Sequence, residues 1–388
     1  MVELVAHAPA LSAARLRIDA ARARMGSAGK FPNPEIEAMV SRKQSPMETM
    51  PMYEVSVRQP LPKAGERAAD RDRVAAGVSM AQAEYALMAG EMAAETAMAL
   101  AEAETATRRA DVLAIQMARV QRVLGTVEIR IGTGQGRLGE LLALRTQIAS
   151  MQLMIARDRT MAATALSDAR SRLGLADDAI LPAYFAPIAT DVILDSAPAL
   201  RMAEARIQEA HAMGRMARAE AKPMTAIGLR LEREQDSMGN TDTIGIAFMM
   251  EIPWRSRGYA RADEQAARTE AHASRADARA NTFQIMAALK SIERAEKLAA
   301  LTAQLADDTQ TRVDAEYESI VSSASAGTMS DESTVLMVLD ILEKSTNAQL
   351  QRIDAEGAVR VARAELWRYL PVETFINSST DYHEEPND

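Results

Sequence analysis

This sequence predicts a mostly α-helical fold that also carries two membrane-type β-hairpins, the whole pattern written twice. Three observations point there. Pro9-Ala10-Leu11 and Pro198-Ala199-Leu200 open matching Ala-rich, charged stretches 189 positions apart. Pro34 and Pro223 open alternating stretches at the same spacing, and Pro60 and Gly65 recur 193 positions on as Pro253 and Gly258. Long helix-forming runs follow in both copies. A period this long is no solenoid repeat, so one large unit of helix, hairpin, long helix, turn and helix is duplicated. The repeats span 1–190 and 191–375, and the polar, acidic residues 376–388 are expected to be a disordered tail.

The elements follow in order. Residues 9–30 read as a first helix, broken by Phe31-Pro32-Asn33-Pro34. Ile36, Ala38 and Val40 then alternate with Glu35, Glu37 and Ser41, and Tyr53, Val55 and Val57 alternate with Glu54, Ser56 and Arg58. The second copy repeats this with Ile227, Leu229 and Leu231, then with Ile244, Ile246, Phe248, Met250 and Ile252. Period-2 patterning marks strands with one apolar and one polar face. Each pair is a hairpin, about 35–58 and about 224–252, closed by a polar loop.

A helical run from Glu66 to about Thr126 follows the first hairpin, and one from Tyr259 to about Ser322 follows the second. Some 60 residues span roughly 90 Å, the length of an extended bundle or coiled coil. Gly132, Gly134 and Gly136 break the first run before a helix from Leu138 to Leu173. Ala326-Gly327-Thr328 precedes a helix from about Glu332 to Leu370. In each repeat the two shorter helices together nearly equal the long one, so they can stack end to end beside it. The stretch 174–196 joins the halves and is expected to form a small collar.

Composition narrows the classes. Apolar residues make up 48% and aromatics only 4%, a mix suited to long helices packed side by side. The net charge of −9, with both signs interleaved, gives no basic footprint for nucleic acid. With no cysteine, thiolate metal sites and disulfides are excluded. No run is long and apolar enough for a transmembrane helix. Strands of nine to eleven residues cross a bilayer at a tilt, but only a closed barrel satisfies every edge there, and about eight strands is the usual minimum. Four strands per chain therefore require several copies to pool them.

The ordered set of elements resembles the TolC-type outer membrane efflux proteins, metal and drug efflux subgroup, over roughly residues 3–372. Gln59-Pro60-Leu61-Pro62 with Gly65-Glu66-Arg67 is similar to that subgroup's strand-to-helix junction. Arg130 to Gly134, with Leu138, Leu141 and Leu142, is similar to the first helical tip, and Val338-Leu339-Asp340 to the second. The resemblance implies a homotrimer: a twelve-stranded outer membrane β-barrel on a long periplasmic α-helical barrel. It implies a passive exit duct that meets outer membrane lipid, a periplasmic adaptor (membrane fusion) protein and an inner membrane efflux pump. Neither covalent chemistry nor a cofactor is implied.

Site residues follow from the same likeness. Asp340 matches an acidic residue lining the family's closed periplasmic aperture, and a second acid three positions earlier is Met337 here. Carboxylate rings near a threefold axis can select and gate, although an ordinary solvated helix Asp reads the same way. Arg130, Gly132, Gly134, Leu138 and Leu141 at the first tip, with Gly327 at the second, are the adaptor-docking candidates; a plain turn is the alternative. Ser322-Ser323-Ala324-Ser325-Ala326 separates Tyr317 from Gly327 and adds about one helical turn near the mouth. Arg130, Arg137 and Arg145 could latch that mouth or simply be solvated.

Met47, Met50 and Met52 cluster at the first hairpin loop among 24 methionines. Thioethers suit Cu(I) or Ag(I), which raises heavy-metal cations as substrates, yet Met also replaces Leu freely on helices. His7, His211, His272 and His383 show no metal-site spacing. No nucleophile–base set or phosphate loop is present, and the glycines at 132–136 follow no strand, so no enzyme is expected. A soluble coiled-coil scaffold or secretion adaptor would also use long helices, but leaves four amphipathic strands unexplained. The first twenty residues lack a secretory signal, so an outer membrane destination calls for an upstream extension encoding one.

Overall fold

The computed structural model describes residues 2–44, 49–133, 137–181, 196–236, 239–254, 256–325, 333–371 and 373–375. The order is α1 (Val2–Ala6), α2 (Pro9–Met25), β1 (Glu35–Gln44), β2 (Thr49–Leu61), α3 (Glu66–Gly132) and α4 (Leu138–Leu173) in the first half. In the second it is α5 (Pro198–Glu220), β3 (Met224–Asp236), β4 (Gly239–Glu251), α6 (Ser256–Ser325), α7 (Ser333–Ala364) and a 3-10 turn, Glu365–Tyr369. The duplicated order of helix, hairpin, long helix and helix is the one the sequence predicts. Pro9 and Pro198 each open a helix, where the missing N–H has no intrahelical partner to lose. The long helices run further than their patterns suggest, to 67 residues for α3 and 70 for α6.

The chain forms two compact units, and each draws on both repeats. The helical unit comprises Met1–Ser12, Ala86–Pro198 and Thr282–Asp388. Its polar links run from α4 to α3 to α7 to α6. Arg109 of α3 reaches Asp158 of α4 at 3.4 Å and Asp354 of α7 at 2.6 Å, and Arg352 of α7 reaches Asp307 of α6 at 2.7 Å. Toward the ends of the long helices all four contribute to one core: Val120, Val127, Leu144, Ile148, Met151, Val313, Val338, Ile341 and Leu342.

Elsewhere small residues let the helices close up. Ala93, Ala94, Ala97 and Ala101 are wholly buried. A Cβ on Gly357 would lie 2.5 Å from Thr105 Oγ1, and one on Gly90 would lie 2.8 Å from the Trp367 carbonyl. Alanine and glycine thus do the packing that aromatics do in thicker cores. At Gly174 (φ 67°) the chain leaves α4, and a Cβ there would strike Pro9 Cδ at 2.8 Å. The end of α4 therefore meets Pro9, the first residue of α2.

The sheet unit comprises Ala13–Tyr85 and Ala199–Asn281. Ion pairs join α2 to α3 (Arg17–Glu84, 3.4 Å), α3 to α5 (Arg215–Asp72, 2.7 Å) and α5 to α6 (Arg218–Glu264, 2.6 Å). The four strands form one antiparallel sheet in the order β1-β2-β3-β4. Its central seam joins the repeats, with Val57 opposite Leu229 and Arg58 opposite Gly228. A Cβ on Gly228 would meet the Val57 carbonyl at 2.7 Å, so a side chain there would force β2 and β3 apart.

The turn from α2 into β1 ends the helix earlier than predicted, because Gly29 takes φ 64°, which glycine adopts freely. The start of α3 holds it there: the Gly29 N–H donates to Asp70 at 2.9 Å, and Arg67 Nε donates to the Gly29 carbonyl at 2.6 Å. Arg67 also lies over the Phe31 ring, 4.3 Å from its centre. The Gly29 N–H and, next, the Arg73 guanidinium hold the Asp70 carboxyl below its ordinary pKa. Its contribution to stability is therefore complete above the unfolded value near 3.9 and is lost as pH falls through the lower folded value. Asp70→Ala is expected to destabilise the fold by roughly 1–2 kcal/mol at about pH 7, seen as a lower thermal midpoint, and to change little at about pH 2. Far-UV circular dichroism at the two pH values checks this; equal loss at both would contradict it.

Candidate functional site

Two surfaces carry the functional reading: the faces of the sheet and the helix ends near the α3–α4 turn. In the sheet, alternation and register sort the side chains. Ile36 lies opposite Val57, Val57 opposite Leu229, and Leu229 opposite Ile246. One row further, Ala38, Val55, Leu231 and Ile244 align, so an apolar face runs across all four strands. That face is open: Ile36 is 73% exposed and Ile246 83%. A contiguous apolar surface on this scale marks an interaction site.

The opposite face is charged and paired within itself. Arg58 reaches Glu37 at 2.9 Å and Glu35 at 3.7 Å, while Arg230 reaches Glu54 at 2.7 Å and Glu232 at 3.4 Å. Such a sheet suits a wall with hydrocarbon on one side and water on the other. Among the described residues β1 and β4 each pair on one side only. Each therefore presents an open row of backbone N–H and C=O groups. No described helix is long and apolar enough to cross a membrane.

The candidate tip residues fall as follows. α3 ends at Gly132 and α4 begins at Leu138, with Arg137 at the N-cap position making no side-chain cap bond. Leu138 and Leu142 are exposed, whereas Arg130 and Leu141 are half-buried. Arg145 pairs with Glu128 at 3.1 Å, bracing α4 against α3 within the same hairpin. On α7, Met337 and Asp340 are exposed, and Asp340 accepts a hydrogen bond from Lys344 at 2.6 Å. α6 continues as helix through Ser322–Ser325, so these added residues lengthen it. Gly134, Gly327 and Met47 lie outside the described residues. Met50 is placed in β2, and Met52 is half-buried there, opposite Ser41 and Glu234. Among the described residues no cluster of three His, Asp or Glu could hold a metal ion.

Sequence reading missed the polar links at the join of the repeats. Arg109 bridges Asp158, whose side chain is only 7% exposed, and Asp354. Its guanidinium pKa is raised, chiefly by the hydrogen bond to Asp354, with burial opposing. Nearby, Gln116 donates to Gln349 at 3.4 Å, and Gln349 and Ser345 both donate to Gln310, at 2.9 and 2.6 Å. The only sequence signal was polar residues recurring at core-facing helical positions. Arg109→Ala leaves Asp158 buried without its cation and is expected to cost about 3 kcal/mol, part of which Asp158→Asn should restore. Chemical denaturation of both variants reads this; loss under about 1 kcal/mol would show the bridge to be incidental.

Comparison with known proteins adds the following. Residues 1–175 match the family model described as outer membrane efflux protein. No curated protein matches the chain. Of the solved structures, VceC, an outer membrane protein from Vibrio cholerae, superposes with TM-score 0.72 at 16% identity, covering 95% of this chain and 94% of its own. A membrane protein from Pseudomonas aeruginosa gives 0.71 at 16% identity, covering 95% and 92%. The CmeC outer membrane channel of Campylobacter jejuni gives 0.66 at 15%, covering 99% and 89%. At such identities these likenesses show a shared fold, here over almost the whole chain.

Proposed function

We propose that this member of the outer membrane efflux protein family, a family of channels and not of enzymes, is the outer membrane subunit of a tripartite efflux system. In this reading it is a passive exit duct, loaded by a periplasmic adaptor and an inner membrane pump that supplies the energy. The observation that carries it is the two-faced, four-stranded sheet with both edges open. In lipid every strand edge must be paired, and three copies supply twelve strands for a closed barrel. The apolar face then meets hydrocarbon, and the charged face lines the lumen.

The helical unit favours the same closure. Its outermost helices, α4 and α6, carry exposed apolar residues: Leu142, Leu153 and Met161 on one, Leu298, Leu301 and Leu305 on the other. Their charges are complementary. α4 has Arg145, Arg157, Arg159, Arg170 and Arg172 against three acids, whereas the α6 part of the unit has seven acids against four bases. A basic edge meeting an acidic edge is a head-to-tail contact, the kind that closes into a ring.

Finer assignments belong to this reading. Asp340, with Met337 one turn before it, would ring the periplasmic aperture, and the α3–α4 tip around Arg130, Gly132, Leu138 and Leu141 would receive the adaptor. Met47, Met50 and Met52, at the loop end of the first hairpin, make soft monovalent cations such as copper or silver the substrate class to try first.

The trimer in detergent is expected to conduct in planar bilayers. The chain has no cysteine, so a Met161→Cys, Leu301→Cys variant should give oxidised species up to three linked chains and no further. A water-soluble monomer that never conducts would leave a helical scaffold as the better reading. In the same bilayers Asp340→Asn should lower cation over anion permeability, and Lys344→Gln should raise it; unchanged reversal potentials would remove Asp340 from the aperture.

A further inference from the structure

In the sheet unit, α5 and α6 run antiparallel and leave an open groove between them. Their register is set by Arg218–Glu264 at 2.6 Å and by Arg275 against His211 at 3.3 Å. The groove has a volume of about 610 Å³, within the range of small-molecule sites. Its middle is apolar: Met213 and Met216 come from α5, and Ala266 and Ala267 from α6. Thioethers and methyl groups of this kind can receive an aliphatic chain.

The ends of the groove are anionic. Glu220 and Asp263 stand at one end, and Glu270 stands seven residues further along α6, about 10 Å away. By the register of the two helices, Met216 lies between those ends and Met213 is level with Glu270. All three carboxylates are exposed, and none has an ion-pair or hydrogen-bond partner among the described residues. Arg73 of α3, the one base lining the groove, is held by Asp70 at 2.9 Å. The acids are strung out rather than gathered, and among the described residues no three His, Asp or Glu could hold one metal ion. A single-centred cation would leave one end unmatched, whereas a ligand with two separated charges meets both.

We propose that this groove binds a linear aliphatic dication, of polyamine chemistry, with an ammonium group at each end. One ammonium lies between Glu220 and Asp263 and the other at Glu270. The methylene chain between them crosses Met213, Met216 and the two alanines. All of these residues belong to one chain, so binding here needs neither ring closure nor conduction. The charged contacts weaken with salt.

Isothermal titration of the detergent-solubilised full chain with 1,8-diaminooctane at low salt tests this. The two ammonium groups of that diamine are about as far apart as the two ends of the groove. It should bind at least about tenfold more tightly than 1,4-diaminobutane, which is too short to reach both ends. The same margin is expected over 8-amino-1-octanol, which has the length but only one charge. Glu270→Gln should weaken 1,8-diaminooctane about tenfold, down to the level of the amino alcohol. Asp277→Asn makes the same charge change two turns beyond the groove and should leave the affinity within about twofold. Equal binding of the two diamines, or equal loss from both variants, would assign the effect to the net charge of −9 and overturn the proposal. Absence of binding overturns it as well.

Discussion

Unpaired strand edges are the constraint on which the rest of this molecule turns. A four-stranded antiparallel sheet with an apolar face and two bare edges is satisfied neither in water, where the apolar face is exposed, nor in lipid, where the edges are. Covering one face of such a sheet with the chain's own helices would solve only half of that. The register leaves no ambiguity about the faces, since slipping any strand by one residue would put its glutamates among the valines. In the proposed reading, assembly of several copies answers both demands together.

The helices meet the same demand in another form. Away from the core near their ends they bury mostly alanine, so contacts there are thin, and specificity passes to polar links such as Arg109 with Asp158 and Asp354. A buried ion pair adds little net stability but penalises wrong register heavily. These links sit where the first repeat meets the second, in the place where two similar halves most need to be told apart. The outer helices, by contrast, face outward with complementary charge.

Much of this was legible in the sequence because a two-faced strand must alternate. Ile227 to Leu231 and Ile244 to Ile252 have no other economical reading, and Leu138–Leu173 is bounded by glycines that end helices on both sides. The turn at Gly29 was less visible, because the Ala- and Arg-rich run before it favours helix without a break and only the contacts with Arg67 and Asp70 explain the early stop. The Arg109 bridge was not legible at all: its partners lie 49 and 245 positions away, and nothing local marks an arginine that will be half-buried.

Hydrogen–deuterium exchange at the sheet edges, with the protein in detergent or nanodiscs, tests the central claim most directly. If three sheets join, the outward-facing amides of β1 and β4 should exchange as slowly as those between β2 and β3. Fast exchange confined to those two edges, with the centre protected, would mean that the sheet stays open and that no shared barrel forms.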